Sequence, residues 1–292
     1  MIDKLKFKDS LRTAQNLESK IKDFVRHSPS NRMPDNPDQV IFDEPLIGYA
    51  DGDDPLFTEY KTIIAATHLT PREALALSLN KKPEELPQRL SVISWILPVT
   101  SKTRESNRLD KKQPSQLWAY TRWYGEKFND ALRAHIVEFL TNNGYLAVEP
   151  VNQPYFQQYQ NEKGPYTNWS ERHVAYAAGL GTFSLSDGFI TGKGIAHRCG
   201  SVVTDLVLPA SLRTAKTPFA NCLFYENGIC SVCIVRCPAG AISEKGHDKI
   251  KCREYQHDEF KQLREDWQVG NTGCGLCQIN VPCEFKNPTA KK

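Results

Sequence analysis

Cysteine is crowded into the last quarter of this 292-residue chain, where eight of its nine cysteines lie. Eight is two sets of four, and an iron–sulfur cube is held by four thiolates, two of which a CxxC turn supplies from a few residues. A small secreted domain with this pattern would suggest disulfides, whereas a large chain without an export signal favours metal binding. The candidate ligands are Cys222, Cys230, Cys233, Cys237, Cys252, Cys274, Cys277 and Cys283.

The stretch CSVCIVRCP, residues 230–238, favours iron over zinc. In bacterial ferredoxins with two clusters, the cysteine that precedes the proline binds the other cluster. A zinc site would pair the two CxxC turns and leave four cysteines without a role. We therefore predict a small segment like a bacterial ferredoxin with two 4Fe-4S clusters. Cluster 1 takes Cys222, Cys230, Cys233 and Cys283, and cluster 2 takes Cys237, Cys252, Cys274 and Cys277.

Two clusters in one segment conduct single electrons, which requires a donor and an acceptor. We expect an external electron donor such as a ferredoxin or a flavodoxin. The chain upstream of Cys199 contains no cysteine, so the acceptor is expected to be an organic or corrin cofactor, or a substrate. Cys199 itself stands apart from the cluster spacings and is expected to be a small buried apolar side chain.

The elements that must position these cysteines follow from the hydrophobic periodicity and from the proline and glycine positions. The order of strand, long helix and strand in the middle of the chain predicts an α/β layer. Residues 28–55, rich in proline and aspartate, and the polar residues 101–113 are predicted to be irregular. Helices are expected over residues 1–25, 56–67, 71–79, 117–143 and 170–178, and strands over residues 90–97, 145–148, 189–191 and 201–208.

Cysteine density rises at about residue 209, which gives a predicted division into three parts. Residues 1–84 form an N-terminal helical extension with ordered loops, residues 85–208 an α/β domain for the cofactor or substrate, and residues 209–292 the double-cluster domain. The fold class is therefore α+β. The longest apolar run, residues 90–99, falls short of the roughly 20 residues of a membrane span. Because residues 1–25 have the pattern of an amphipathic helix and not of a signal peptide, a cytoplasmic protein is expected. A net charge of +3 gives no strong nucleic-acid signal.

Residues 175–209, AYAAGLGTFSLSDGFITGKGIAHRCGSVVTDLVLP, lie directly before the cysteine-rich segment. Their AGLG turn, their GSVVTDL strand and the order of four, one and three cysteines resemble the epoxyqueuosine reductase and reductive dehalogenase superfamily. The resemblance covers about residues 85–288. It implies a nitroreductase-like α/β domain that holds a cobamide (cobalamin), to which two clusters pass electrons for reductive removal of oxygen or halide.

The resemblance also implies a proton donor, which is an aspartate before the GLG turn in epoxyqueuosine reductases. Pro165 occupies that position here, and alignment on the Gly-Pro pair places Glu162 there instead. Dehalogenases use a tyrosine assisted by a basic residue, so Tyr166 is the first candidate, followed by Glu162, Tyr155 and His173. Each of the four is equally explained as a structural or solvated side chain.

His197, Arg198 and Ser201, at the start of the GSVVTDL segment, are the candidates for contact with the cofactor. The displaced acid makes a tRNA substrate doubtful and leaves a small molecule or a modified nucleoside as the substrate class. Two further functions stay open. One is a non-enzymatic electron carrier or reductive activator of a partner corrinoid protein, and the other is a zinc-dependent interaction module.

Overall fold

The computed structural model describes the backbone of residues 2–290 and the side chains of residues 11–290. The helices are α1 Ile2–His27, α2 Pro55–Ile63, α3 Pro71–Ser78, α4 Ser101–Arg108, α5 Gln116–Asn142, α6 Glu171–Ala177, α7 Leu223–Asn227, α8 Val232–Arg236, α9 Lys249–Glu259 and α10 Lys261–Asp266. The strands are β1 Arg32–Met33, β2 Asn36–Val40, β3 Leu46–Asp51, β4 Ser91–Pro98, β5 Ala147–Val148, β6 Gln158–Asn161, β7 Gly164–Thr167, β8 Gly181–Phe183, β9 Phe189–Thr191, β10 His197–Thr204, β11 Ile242–Ser243 and β12 Gly246–His247.

The centre of the fold is a four-stranded sheet in the order β3-β4-β10-β5. Every residue of β4 is buried, as expected for an apolar run that is covered on both faces. Ile93, Trp95 and Leu97, on one face of β4, pack against α1 and α5. The Trp95 indole donates to the side-chain oxygen of Asn129 in α5 at 2.9 Å. Val92 lies in a second core with α3 and α6. The sheet is therefore a middle layer between two layers of helices.

The predicted order of strand, helix and strand is confirmed, and a further strand, β10, lies between the two predicted strands in the sheet. Strands β4 and β5 flank α5 in the chain and both pair antiparallel with β10, so they are parallel to each other. Helix α3 begins as predicted, with Pro71 in its first turn and a capping box. The Thr70 hydroxyl accepts from the Glu73 amide at 3.2 Å, and the Glu73 carboxylate accepts from the Thr70 amide at 2.8 Å. Thr70 and Glu73, the two residues of the capping box, lie within four residues of sequence, so a local pattern is enough to predict where this helix starts.

Three predicted boundaries are wrong. Residues 28–55 contain β1, β2 and β3, and β3 forms an edge of the central sheet through its pairing with β4. Residues 101–108 form helix α4 and not a loop, because the buried side chain of Asn107 and the side chains of Arg104 and Arg108 bond to distant parts of the chain. Strand β10 starts at His197, four residues before the predicted strand, because His197 pairs with Pro98 at the end of β4.

The cysteine-rich segment packs against the same core as the sheet. Leu276 and Ile279 are fully buried in the core that contains α1 and α5. The backbone amide of Ile195 donates to the Cys283 carbonyl at 2.8 Å, which ties the segment to the loop before β10. The division into three parts stays a prediction. Within residues 2–290, no helix is long and apolar enough to cross a membrane.

Candidate iron–sulfur and ligand site

The eight clustered cysteines form two groups in the folded chain. The first group lines one small cavity, and the second lines a larger cavity of about 250 Å³. These groups have the same members as the predicted clusters 1 and 2. The first group is Cys222, Cys230, Cys233 and Cys283, and the second is Cys237, Cys252, Cys274 and Cys277. Cys277 also borders the first cavity, so the two groups are neighbours.

Burial and the charges of neighbouring thiols raise the pKa of Cys233, Cys274, Cys277 and Cys283. Burial, followed by the charges of Cys222, Cys233 and Cys230, raises the pKa of Cys283 to about 12. Burial also raises the pKa of Cys274 to about 12, and the charge of Cys252 adds to the effect. Four buried thiolates are unfavourable together unless a metal charge compensates them. All nine cysteines are free of disulfides, so the donor set fits two four-iron clusters.

In the described part of the chain, no group of three or more His, Cys, Asp and Glu side chains is arranged to hold a single metal ion. A four-iron cube is larger than one ion, so its thiolate ligands stand farther apart than those of a zinc site. Two donors to sulfur are already placed in the second group. The Ala241 amide donates to the Cys237 sulfur at 3.3 Å, and the Gln256 amide donates to the Cys252 sulfur at 3.2 Å. Such hydrogen bonds tune the potential of a cluster.

Gly275 shapes the CGLC turn that carries two ligands of the second group. Its φ is +67°, and a Cβ placed there would lie 2.0 Å from the Trp118 ring of α5. Trp118 therefore packs directly over the turn, which leaves room for glycine alone. The turn holds Cys274 and Cys277 at the border between the cluster segment and the long helix.

We expect Gly275→Ala to destabilise the fold and to remove the second cluster. Gly144→Ala is the matched control, because Gly144 also has a positive φ of +82° but has open space where a Cβ would lie. The control should lose about 1 kcal/mol of unfolding free energy from backbone strain alone. Gly275→Ala should lose about 1–3 kcal/mol more through overpacking. Urea unfolding and iron analysis measure both, and equal losses for the two variants would contradict the role of Trp118.

The cavity of the second group, here called the inner cavity, is lined by the group's four cysteines and by basic side chains from three elements. These are Arg122 of α5, Arg172 of α6 and Arg198 of β10. A more open recess of about 630 Å³, here called the outer recess, shares part of this lining and continues past α9. The shared residues are Arg172, His247, Cys252 and Gln256.

Two of the three predicted cofactor contacts line the inner cavity. Arg198 does so, and His197 does so as a neutral ring, since burial lowers its pKa to about 4. The His197 Nε2 donates to the Phe189 carbonyl at 2.7 Å. Ser201 is not part of the lining, because its hydroxyl donates to Glu171 at 2.6 Å and accepts from the Trp169 indole at 3.0 Å. Ser201 therefore lies one layer behind the cavity.

Behind the cavity lies a buried network of opposite charges. Arg133 of α5, 1% exposed, contacts Glu126 at 3.1 Å and Glu171 at 3.2 Å. Glu126 also pairs with Arg198 and lies 3.7 Å from Arg122. Burial favours the neutral acid, yet the guanidinium groups of Arg198 and Arg133 lower the pKa of Glu126 to about 2. The ionised carboxylate of Glu126 therefore pairs with two arginines of the cavity, Arg122 from α5 and Arg198 from β10.

The four predicted proton donors lie outside the linings of the inner cavity and the outer recess. Tyr166 stacks on Tyr159 in the β6–β7 hairpin, and Glu162 is an exposed residue of the connecting turn. The Tyr155 hydroxyl donates to the Ala74 carbonyl at 2.9 Å. The His173 Nδ1 bonds to the hydroxyl of its neighbour Ser170 at 2.8 Å, and burial lowers its pKa to about 3. Their catalytic roles stay predictions, and the structure does not bring them together.

Sequence reasoning missed Arg122, Arg172 and His247, which line the inner cavity. His247 lies 3.4 Å from Asp187 as an ion pair. Burial opposes its charge, but hydrogen bonding to Asp187 and to Cys252 raises its pKa to about 9. None of these residues belongs to a motif, and their elements are far apart in the chain. The one local signal was Arg122 and Glu126, spaced i,i+4 on α5.

No protein-family model matches the chain, and no curated protein matches it. A crystal structure of selenomethionine-labelled epoxyqueuosine reductase is similar, with a TM-score of 0.51 and 16% identity, over 92% of this chain and 66% of that chain. A structure of epoxyqueuosine reductase from Bacillus subtilis, with its catalytic loop swung out of the active site, has a TM-score of 0.46 and 17% identity over the same shares. The chain therefore has a mixed α/β fold like that of the first structure and spans 66% of its length.

Proposed function

We propose that the chain is an iron–sulfur oxidoreductase similar to epoxyqueuosine reductase. Two 4Fe-4S clusters would pass electrons from an external donor, such as a ferredoxin or a flavodoxin, to an acceptor in the inner cavity. The observation that carries this proposal is the division of eight free cysteines into two neighbouring sets, of which the second lines the inner cavity. The fold likeness to an epoxyqueuosine reductase supports the same reading.

The residues of the chain have separate tasks in this proposal. The eight thiols bind the clusters, which supply single-electron transfer when bound. The Ala241 amide and the Gln256 side chain stabilise negative charge on two sulfurs of the second set. Cys277, which borders both cavities, lies between the two centres and shortens the path for an electron. Trp118 closes one wall and limits the access of water.

The cobamide implied by the resemblance does not fit the inner cavity as it is shaped. Pockets for drug-sized ligands span about 300–1,000 Å³. The inner cavity has about 250 Å³, whereas a corrin macrocycle with its side chains is larger than a drug-sized ligand. The charged side chains of Arg198 and Arg122 also line this cavity. The cobamide stays a prediction, and no step is derived through it.

Anaerobic reconstitution with iron and sulfide tests the proposal. We expect about eight irons and eight sulfides per chain, since each cube contributes four of each, and a brown colour that bleaches on reduction. Cobalt analysis after addition of hydroxocobalamin to the same sample tests the cobamide separately. A chain that takes up zinc in place of iron, or stays colourless, would contradict the proposal. Clusters that reduce a partner protein while no small molecule turns over would instead favour the electron carrier.

A further inference from the structure

The inner cavity and the outer recess concentrate positive charge in a chain whose net charge is only +3. Among the described residues that line the inner cavity, three are arginines and none is Asp or Glu. The outer recess adds Lys249, Arg253 and Arg264. Its one acid, Asp187, lies 3.7 Å from Lys249 and 3.4 Å from His247, so it is already paired. Such a concave cationic surface attracts anions from solution.

One cavity arginine keeps a buried donor without a partner. The terminal nitrogen of Arg198 bonds to Glu126, but its Nε–H is buried and has no hydrogen-bond acceptor in the described part of the chain. A buried donor without an acceptor is unfavourable, and an acceptor bound in the cavity would remove that cost. Arg122 stands at the same wall, and the charge of Arg198 together with burial lowers its pKa to about 10, so it stays cationic at neutral pH.

Arg172 stands where the inner cavity meets the outer recess. It is an exposed side chain whose NH1 donates to the backbone carbonyl of Asp187, so its charge is not cancelled by a carboxylate in that contact. A guanidinium group presents a planar fork of donors that matches carboxylate and phosphate oxygens. The second cluster would take the part of the inner cavity between its four cysteines, so the space left beside the arginines admits only a compact group. The outer recess of about 630 Å³ leaves room for the remainder of a larger molecule.

We propose that this site binds a small molecule that carries an oxyanion, either a carboxylate or a phosphate, with the oxyanion at Arg122 and Arg198. The inference rests on the proposed function in one respect, because a ligand bound there would lie beside the second set of cysteines as their electron acceptor. The alternative role for the arginines is to balance the negative charge of a cluster without binding any ligand.

Isothermal titration calorimetry tests the inference, with inorganic phosphate and acetate as probes at constant ionic strength and glycerol as the neutral reference. Reconstituted and unreconstituted protein are both titrated, and iron is measured in every sample. We expect at least one oxyanion to bind and glycerol not to bind. Binding of phosphate alone indicates a phosphorylated ligand, and binding of acetate alone indicates a carboxylate.

Arg198→Gln should raise the Kd about tenfold or more, because it removes one charge-assisted hydrogen bond to the oxyanion. Arg172→Gln should also raise the Kd, because it removes a positive charge where the inner cavity meets the outer recess. Arg198→Lys should recover part of the affinity as a point charge. Arg172→Gln is the variant less prone to misfold, because the Arg172 side chain is exposed and donates to the backbone carbonyl of Asp187. Arg213→Gln is the matched control, since Arg213, like Arg198, pairs with a carboxylate, here that of Asp54, but lies outside both cavities.

Three results would overturn the inference. One is the absence of oxyanion binding in a sample with about eight irons, from two cubes, which leaves the proposed function standing and assigns the arginines to charge balance. Another is a Kd that changes equally in Arg198→Gln and Arg213→Gln. The third is uptake of hydroxocobalamin that excludes phosphate. Conversely, oxyanion binding by a chain that takes up no iron would support the inference while the proposed function fails.

Discussion

Replacing Cys237 with alanine is expected to lower the iron content from about eight to about four per chain, as the loss of one of two cubes requires. Cys237 lines the inner cavity with the second set, although it is only four residues from Cys233 of the first set. The variant should keep a cluster at the first set. Iron and sulfide analysis after anaerobic reconstitution measures the loss, and Cys199→Ala is the control that should retain the full content.

Double variants test whether Cys237 binds a different cluster from its near neighbour Cys233. Cys237→Ala combined with Cys252→Ala should lose no more iron than either alone, because both residues belong to the second set. Cys237→Ala combined with Cys233→Ala should lose nearly all iron, because one residue of each set is removed. If the three close cysteines instead served one cube, the second pair would keep about four irons. That result would contradict the crossed assignment and leave the cluster count intact.

The grouping of the cysteines could be predicted because ligand spacing is a local property, and their role as cluster ligands stays a prediction. A CxxC turn and a cysteine before proline lie within nine residues of one another, so the pattern is visible in the sequence alone. Arg198 was named as a candidate cofactor contact, but Arg122 and Arg172 were not predictable in this way. Arg122, Arg172 and Arg198 come from three elements, and only the packing of α5 and α6 on β10 brings them to one wall.

The fold shows the same division between local and distant signals. Strand β4 and helix α5 were predicted because their apolar patterns are long and consistent. Helix α4 was missed because its sequence is polar, and it is held by contacts that no local pattern contains. Arg104 and Arg108 pair with the buried Glu284, and the Asn107 amide donates to the Cys274 carbonyl at 3.2 Å. Tertiary contacts across about 170 residues thus override a local preference for loop.

The predicted proton donors came from a family resemblance and not from local chemistry, and their catalytic roles stay predictions. The positions of Tyr166 and Glu162 depend on an alignment in which the hairpin β6–β7 replaces the family's aspartate segment. The structure places these residues on that hairpin, outside the lining of the inner cavity. A residue role carried by alignment is weakest where the chain departs from the aligned motif, and this hairpin is such a place.

Arg133→Met is expected to cost about 3–5 kcal/mol of unfolding free energy at neutral pH, since it removes one partner from a buried ionic network. Arg133 is 1% exposed and pairs with Glu126, Glu171 and the more exposed Asp130, so three carboxylates lose a counter-charge. Arg72→Met is the matched control, because Arg72 pairs with the half-exposed Asp53 and should cost less than about 1 kcal/mol. Urea unfolding of the reconstituted protein, followed by tryptophan fluorescence under anaerobic conditions, measures both.

The pH dependence separates lost charge pairing from lost packing. Burial raises the pKa of Glu171 in the folded chain, and Arg133 opposes that rise. Without Arg133 the folded-state pKa rises further, so the folded chain holds a proton that the unfolded chain releases. Stability of the variant therefore falls as pH rises above the unfolded-state pKa. The deficit relative to the unmodified chain should be smaller at pH 5 than at pH 8, whereas a packing defect would give equal deficits.

A second substitution, Glu171→Gln in the Arg133→Met background, should restore about half of the lost free energy, because the uncompensated buried charge is then absent. If it restores nothing, the cost lies in Glu126, which keeps Arg198 and Arg122 as partners. Either way the same network supports the inner cavity, since Glu126 holds two of its arginines. The stability of the sheet and the cationic wall of the cavity are therefore coupled through one buried carboxylate.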